Sequence, residues 1–175
     1  MSEDEARLIQ RAKKGDPTAF AEIYDRHQPA IYRYIFYQVD DAATAEDLTS
    51  EVFARLVEKI DRFTYRGRPL LAWLYTIARN LVTDYRRRAG RSLPLPLDER
   101  LVASTDALEE AVEHRLAAAV ARLTEDQRQV ILLKFVEGLD NEMVAQTLGK
   151  SVGAVKSLQH RALAALRRVL EQNGS

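Results

Sequence analysis

Hydrophobic residues in this chain recur three and four positions apart over most of its length, and alternation with period two is nearly absent, a pattern that predicts an all-α fold. A first helix is expected from about Glu3 to Lys14, stopped by Gly15. Asp16-Pro17 then supplies a cap and a proline at the first position of a second helix. Pro29 predicts a break or a kink between Ile23 and Ile31, because proline has no N–H to give the preceding turn. Thr44 with Asp47 resembles an acidic capping box that opens a third helix running to about Ile60, with Leu48, Val52, Leu56 and Ile60 as its apolar stripe. After a loop containing Gly67, Pro69 starts a fourth helix. Its Leu70, Leu74, Ile77, Leu81 and Tyr85 turn inward, and its opposite face carries Arg79, Asn80, Thr83, Arg86 and Arg87.

Between Ala89 and about Thr105 the periodicity fails, because Gly90, Ser92, Pro94 and Pro96 interrupt it and the LPLPL run cannot continue a helix. The expected organisation is therefore two small helical domains, 1–89 and 106–175, joined by a flexible linker over 90–105.

Within the second domain, the segment from Thr124 to Arg168 has the pattern of a helix-turn-helix. Thr124 with Gln127 forms a capping box, and Gly138 ends the helix that the box begins. Val144, Leu148, Val155 and Leu158 are spaced to turn inward where two short helices cross steeply. Ala145 lets the helices touch, and Gly149 supplies the sharp turn. Ser151 then caps a second helix that exposes Lys156, Ser157, His160 and Arg161, in the first turns where a recognition helix meets base edges and phosphates.

Charge sharpens this picture, since the 175-residue chain is formally neutral yet strongly patterned. Arg62 to Arg91 holds eight arginines and one acid, and Lys150 to Leu170 holds five Lys or Arg and no acid. Two separate basic blocks imply two separate nucleic-acid contacts. Between them, Asp98 to Glu113 holds six acids and one Arg, which is either a solvated face or a mask over the basic surfaces. The absence of Cys removes disulfides and thiolate metal sites, and His27, His114 and His160 are too widely spaced to suggest a ligand cluster, so no metal or cofactor is expected. No apolar run approaches the roughly 20 residues of a spanning helix, and the MSEDEAR start lacks the regions of a signal peptide, so a cytoplasmic protein without membrane insertion is expected. A phosphate loop, a zinc-protease motif and a nucleophile elbow are all missing, and an enzyme is not expected.

AEDLTSEVFARLVEKIDRF, followed by LLAWLYTIARNLVTDYRRR and then by the helix-turn-helix, resembles the extracytoplasmic-function (ECF) sigma factors of bacterial RNA polymerase. The resemblance covers almost the whole chain apart from its first residues and the linker. It implies sigma regions two and four, a subunit that directs promoter-specific initiation, and no further domain after region four. It also implies core RNA polymerase as a partner, through its clamp helices and flap, together with promoter DNA and an anti-sigma factor.

Residue by residue, the resemblance assigns Asp47, Glu51, Phe53 and Arg55 to docking on core polymerase, although Phe53 is equally suited to core packing beside Val52 and Leu56. It assigns reading of the melted −10 element to Tyr65, Arg66 and Arg68 in the loop and to Arg79, Asn80, Arg86, Arg87 and Arg88 on the helix after it, where aromatic and cationic groups suit single strands. Trp73 is a further stacking candidate but adjoins the apolar stripe. The −35 duplex falls to Ser151, Gly153, Ala154, Lys156, Ser157, His160 and Arg161. The chain departs from the common family pattern in two places: where many members have Lys-Ser-Arg-Leu, it has Lys156-Ser157-Leu158-Gln159, so an arginine is lost and an amide appears, and Thr124 replaces a frequent proline while still serving as a helix cap. Two other readings use less of the sequence. A stand-alone helix-turn-helix regulator leaves the first basic block without a role, and a helical protein-binding adaptor leaves both idle.

Overall fold

The computed structural model describes residues 3–39, 41–64, 69–90 and 114–173. It divides into two compact units, Met1–Arg88 and Ala89–Ser175, and every described regular element is helical.

The first unit contains α1 (Glu3–Lys13), α2 (Pro17–Phe36), α3 (Ala42–Lys59), which runs into a 3-10 turn over Ile60–Arg62, and α4 (Leu70–Ala89). Gly15 comes after α1 at φ 83°, a left-handed conformation that stops the helix at little steric cost. Asp16 then caps α2 by accepting from the Thr18 N–H at 2.9 Å, with Pro17 as the first helical residue.

The expected break at Pro29 does not occur, and α2 is a continuous helix of 20 residues through it. Pro29 is exposed, so water can satisfy the carbonyl that loses its partner. Ile23 before it and Ile31, Tyr34 and Ile35 after it are fully buried. Each such side chain contributes about 1.5–3 kcal/mol, which together outweigh the roughly 3 kcal/mol cost of an internal proline.

A second expectation is also corrected, because the cap of α3 is Asp41 and not Thr44. Asp41 accepts from the Thr44 N–H at 2.6 Å and from the Thr44 hydroxyl at 3.0 Å, which starts the helix at Ala42. The stripe itself holds: Val52, Leu56 and Ile60 are buried, with Leu48 half-buried at its margin. On α4, Leu70, Leu74, Ile77 and Leu81 face the same core, while Tyr85 is half-buried. Tyr75 meets Tyr34 of α2 edge-on at 5.2 Å.

The second unit contains α5, described over residues 114–121, then α6 (Glu125–Val130), α7 (Asn141–Leu148) and α8 (Val152–Asn173). The capping box forms as expected, with Gln127 N–H donating to the Thr124 hydroxyl and Thr124 N–H to the Gln127 side chain. Periodicity does not anticipate the widening of α6 into a π-helical segment over Ile131–Val136. That segment buries Ile131, Leu132 and Leu133 and leaves Phe135 exposed. Nor does it anticipate that Arg128 is buried, paired with Glu125 and donating to the Leu123 carbonyl at 3.3 Å. The expected linker, apart from Gly90, and the acidic stretch from Asp98 to Glu113 lie outside the described residues.

Candidate nucleic-acid interface

In the first unit, Asp47 and Glu51 stand exposed one helical turn apart on α3, and Glu51 accepts from the half-buried Arg55 at 3.1 Å. Phe53 does not share their face. It is only 7% exposed and packs edge-on against Tyr24 of α2 at 5.0 Å, so Phe53 as a direct docking anchor is corrected to a core residue. The signal was present in the spacing, because Thr49, Val52, Phe53 and Leu56 fall at i, i+3, i+4 and i+7, a wider buried stripe than a single row. The aromatic that reaches the surface beside α3 is Tyr24, at 42% exposure.

Tyr65, Arg66 and Arg68 lie outside the described residues. Their flanks are described, and they form a built feature: the rings of Phe63 and Trp73 pack at 5.1 Å with a 34° tilt. Lys59, Arg62, Phe63, Thr64 and Trp73 line a cavity of about 280 Å³ at that point. Trp73 is therefore neither fully core nor free, being half-buried with Phe63 against it.

The basic run of α4 separates into two kinds of arginine. Arg86 is half-buried and donates to the backbone carbonyl of Gln38 at 2.9 Å, while the Gln38 side chain, itself buried, donates to the Tyr34 carbonyl at 2.8 Å. These bonds satisfy carbonyls at the C-terminal end of α2, where a cation is also favoured by the helix dipole. Arg86, expected on the DNA face, is thus committed in part to the fold. Arg87 and Arg88 are exposed, Arg87 forming a surface ion pair with Asp84 at 2.6 Å. Asn80 and Thr83 are exposed as expected. Arg79 is half-buried, and its Nε finds no partner among the described residues.

In the second unit the helix-turn-helix forms from the residues anticipated for it. Val144, Ala145, Leu148, Val155 and Leu158 are buried, and Gly149 turns the chain at φ 67°, donating to the Ala145 carbonyl. Asp140 caps α7 through the Met143 N–H at 2.8 Å, and Ser151 caps α8 through the Ala154 N–H at 3.1 Å. Lys150 is held against α6 by an ion pair with Asp126 at 3.4 Å.

The outward surface of α8 then carries Gly153, Ala154, Lys156, Ser157, His160 and Arg161, all exposed. A Cβ placed on Gly153 would meet nothing within 4 Å, so nothing in the described fold requires glycine there. Gln159, the amide that departs from the family pattern, is half-buried and donates to the Asn141 side chain on α7. Such a helix, capped, cationic and without bulk near its N-terminus, can lie in a major groove with its side chains on base edges and phosphates.

Among the described residues no group of His, Cys, Asp and Glu is placed to hold a metal ion. No described helix is long and apolar enough to cross a membrane.

Comparison with known proteins agrees with this arrangement. The chain matches the Sigma-70 region 2 family over residues 23–92 and the Sigma-70, region 4 family over residues 113–166. It is 42% identical to the ECF RNA polymerase sigma factor BldN of Streptomyces coelicolor over 93% of its own length, and it spans 64% of the length of that relative. It is 34% identical to the ECF RNA polymerase sigma factor SigD of Mycobacterium tuberculosis, covering 91% of this chain and 81% of that one. Among solved structures it resembles CnrH in complex with the cytosolic domain of CnrY, at 26% identity and TM-score 0.77, covering 96% of this chain and 97% of that one. It also resembles the sigma factor RpoE in complex with the anti-sigma factor NepR from Bartonella quintana, at 26% identity and TM-score 0.70, covering 87% and 96%. With a region-two match on the unit that carries α3 and α4, and a region-four match on the helix-turn-helix, the chain belongs to the ECF RNA polymerase sigma factors.

Proposed function

We propose that this chain acts in the cytoplasm as a dissociable initiation subunit, binding core RNA polymerase and directing it to promoters by two separate contacts. Region two occupies residues 1–89 and region four residues 106–175, with 90–105 as the linker between them. The exposed acidic face of α3, Asp47 and Glu51 with Arg55, docks on the clamp helices, with Tyr24 beside it as the aromatic anchor. Region four meets the flap. The subunit carries no chemistry of its own, and the polymerase makes and breaks the bonds.

Recognition divides by the form of the DNA. Region four reads the −35 duplex through Ser151, Gly153, Ala154, Lys156, Ser157, His160 and Arg161, the small residues permitting close approach and the cations fixing register on phosphates. Region two holds the melted −10 strand through Tyr65, Arg66 and Arg68, then through Arg79, Asn80, Arg87 and Arg88, where stacking and backbone cations suit unpaired bases. Because two solved relatives are complexes with CnrY and with the anti-sigma factor NepR, an anti-sigma protein is the partner class proposed to hold this chain inactive.

The single observation that supports this reading best is the exposed Gly153 in the first turn of a cationic helix, where an added Cβ would meet nothing within 4 Å among the described residues. Transcription in vitro, with core polymerase on a library of randomised promoters, tests it. Transcripts that need the chain and share a −35 and −10 pair are expected. DNA retention by the chain alone with no recruitment of core polymerase would favour a stand-alone regulator instead.

A further inference from the structure

Gln159 lies on α8 at the margin between the inward Val155, Leu158 and Ala162 and the outward Lys156 and His160. Its amide N–H donates to the side-chain oxygen of Asn141, the first residue of α7, across 18 positions of sequence. This bond joins the two helices of the helix-turn-helix away from the turn at Gly149. A short turn fixes one point of a helix pair and leaves the angle to contacts further along. The apolar contacts of Val144, Leu148, Val155 and Leu158 are not directional, and a hydrogen bond is.

The position also argues against direct reading of a base by Gln159. Bidentate recognition of adenine by glutamine lays an amide N–H and the carbonyl oxygen together along the base edge, whereas here Gln159 is half-buried and one of its two amide N–H groups is held by Asn141, which turns the amide toward α7. The geometry points to Gln159 and Asn141 as a positioning pair that sets the angle of α8 against α7. The pair thereby determines which base edges Lys156, Ser157 and His160 meet. Promoter preference then depends on two residues that need touch no base. The inference rests on the reading of α8 as the −35 helix.

The test uses the full chain assembled with core polymerase and duplex fragments randomised across the −35 region. The variants are Gln159→Leu, Asn141→Ala, the two together, and the exchange of Asn141→Gln with Gln159→Asn. Both single variants should alter relative occupancy at the same base positions, by about threefold or more, and the double variant should be no worse than either, as coupled residues behave. The exchange keeps two amides in register and should restore the parent order, with thermal unfolding showing that each variant is folded.

A change at one base with Gln159→Leu, and none with Asn141→Ala, would mean that Gln159 reads that base itself and would overturn the pair. Equal loss on every sequence, or no loss, would reduce the bond to a structural one and overturn it too. A parent holoenzyme with no −35 preference would remove the reading of α8 first, and the pair with it.

Discussion

The guanidinium of Arg86 donates to the backbone carbonyl of Gln38 at 2.9 Å, so one cation of the Arg86–Arg88 run ties α4 to the end of α2 while its two neighbours face solvent. Three adjacent arginines therefore have two kinds of surroundings. Position on the helix, and not charge, decides which.

Substitution should separate them. Arg86→Gln is expected to lower the stability of region two by about 1–2 kcal/mol, the range for a half-exposed charged hydrogen bond, and to leave the salt dependence of holoenzyme binding nearly unchanged. Arg87→Gln and Arg88→Gln should leave stability alone and reduce the slope of log K against log salt by roughly 0.7 for each single-strand phosphate deprived of its cation. Urea unfolding beside binding at several salt concentrations distinguishes the two patterns. The reverse pattern would place Arg86 on the DNA.

Docking should respond to the surface of α3 and not to its core. Asp47→Lys and Tyr24→Ala, both at exposed positions, are each expected to weaken recovery of core polymerase in a pull-down, a lost anchor reducing affinity by about 30-fold or ~2 kcal/mol. Phe53→Ala should instead destabilise region two by about 3 kcal/mol or more. A folded Asp47→Lys variant that recovers core polymerase as well as the parent does would move the docking surface elsewhere.

Gly153→Ala offers an opposed pair of effects. The added methyl has open space around it and glycine is a poor helix former, so region four should be unchanged or stabilised by up to about 1 kcal/mol. Duplex binding by the holoenzyme should nevertheless fall, because the methyl would intrude on the close approach to DNA. Parallel thermal unfolding and −35 binding assays check both. Unaltered binding would take Gly153 out of the interface.

His27 supplies a pH dependence. Burial, with the nearby Arg26 charge adding to it, holds its imidazole below the ordinary value of 6.5, so the folded state favours the neutral ring. The stabilising contribution is complete above about 6.5 and is lost as pH falls toward the folded value. Parent protein should lose stability over that interval, and His27→Gln should flatten the loss. Urea midpoints measured from pH 7.5 to 5 give the comparison, and identical acid limbs would assign the loss to other groups.

The reach of local pattern is set by where each interaction is made. Caps at Asp16, Thr124 and Ser151 and the turn at Gly149 depend on neighbours within a few residues, and all were legible. Asp41 and Thr44 both suit a cap, and only the bonds from Thr44 back to Asp41 decide between them. The unbroken α2, the buried Phe53 and the committed Arg86 were not legible, because each depends on a partner far along the chain: packing on both sides of Pro29, the ring of Tyr24, and the carbonyl of Gln38. The bond of Gln159 to Asn141 is of the same kind. Periodicity marks the faces of a helix, but it does not say what each face meets.

The ring contact between Phe63 and Trp73 has a thermodynamic consequence for anything that grips the chain between them. Joining the two ends of a loop costs conformational entropy, and here folding of region two joins them before any ligand arrives. A strand bound between those two rings would not have to supply that closure, so more of its contact energy would remain as affinity. Weakening the ring pair, by Trp73→Ala for example, would transfer that closure cost to the moment of promoter opening.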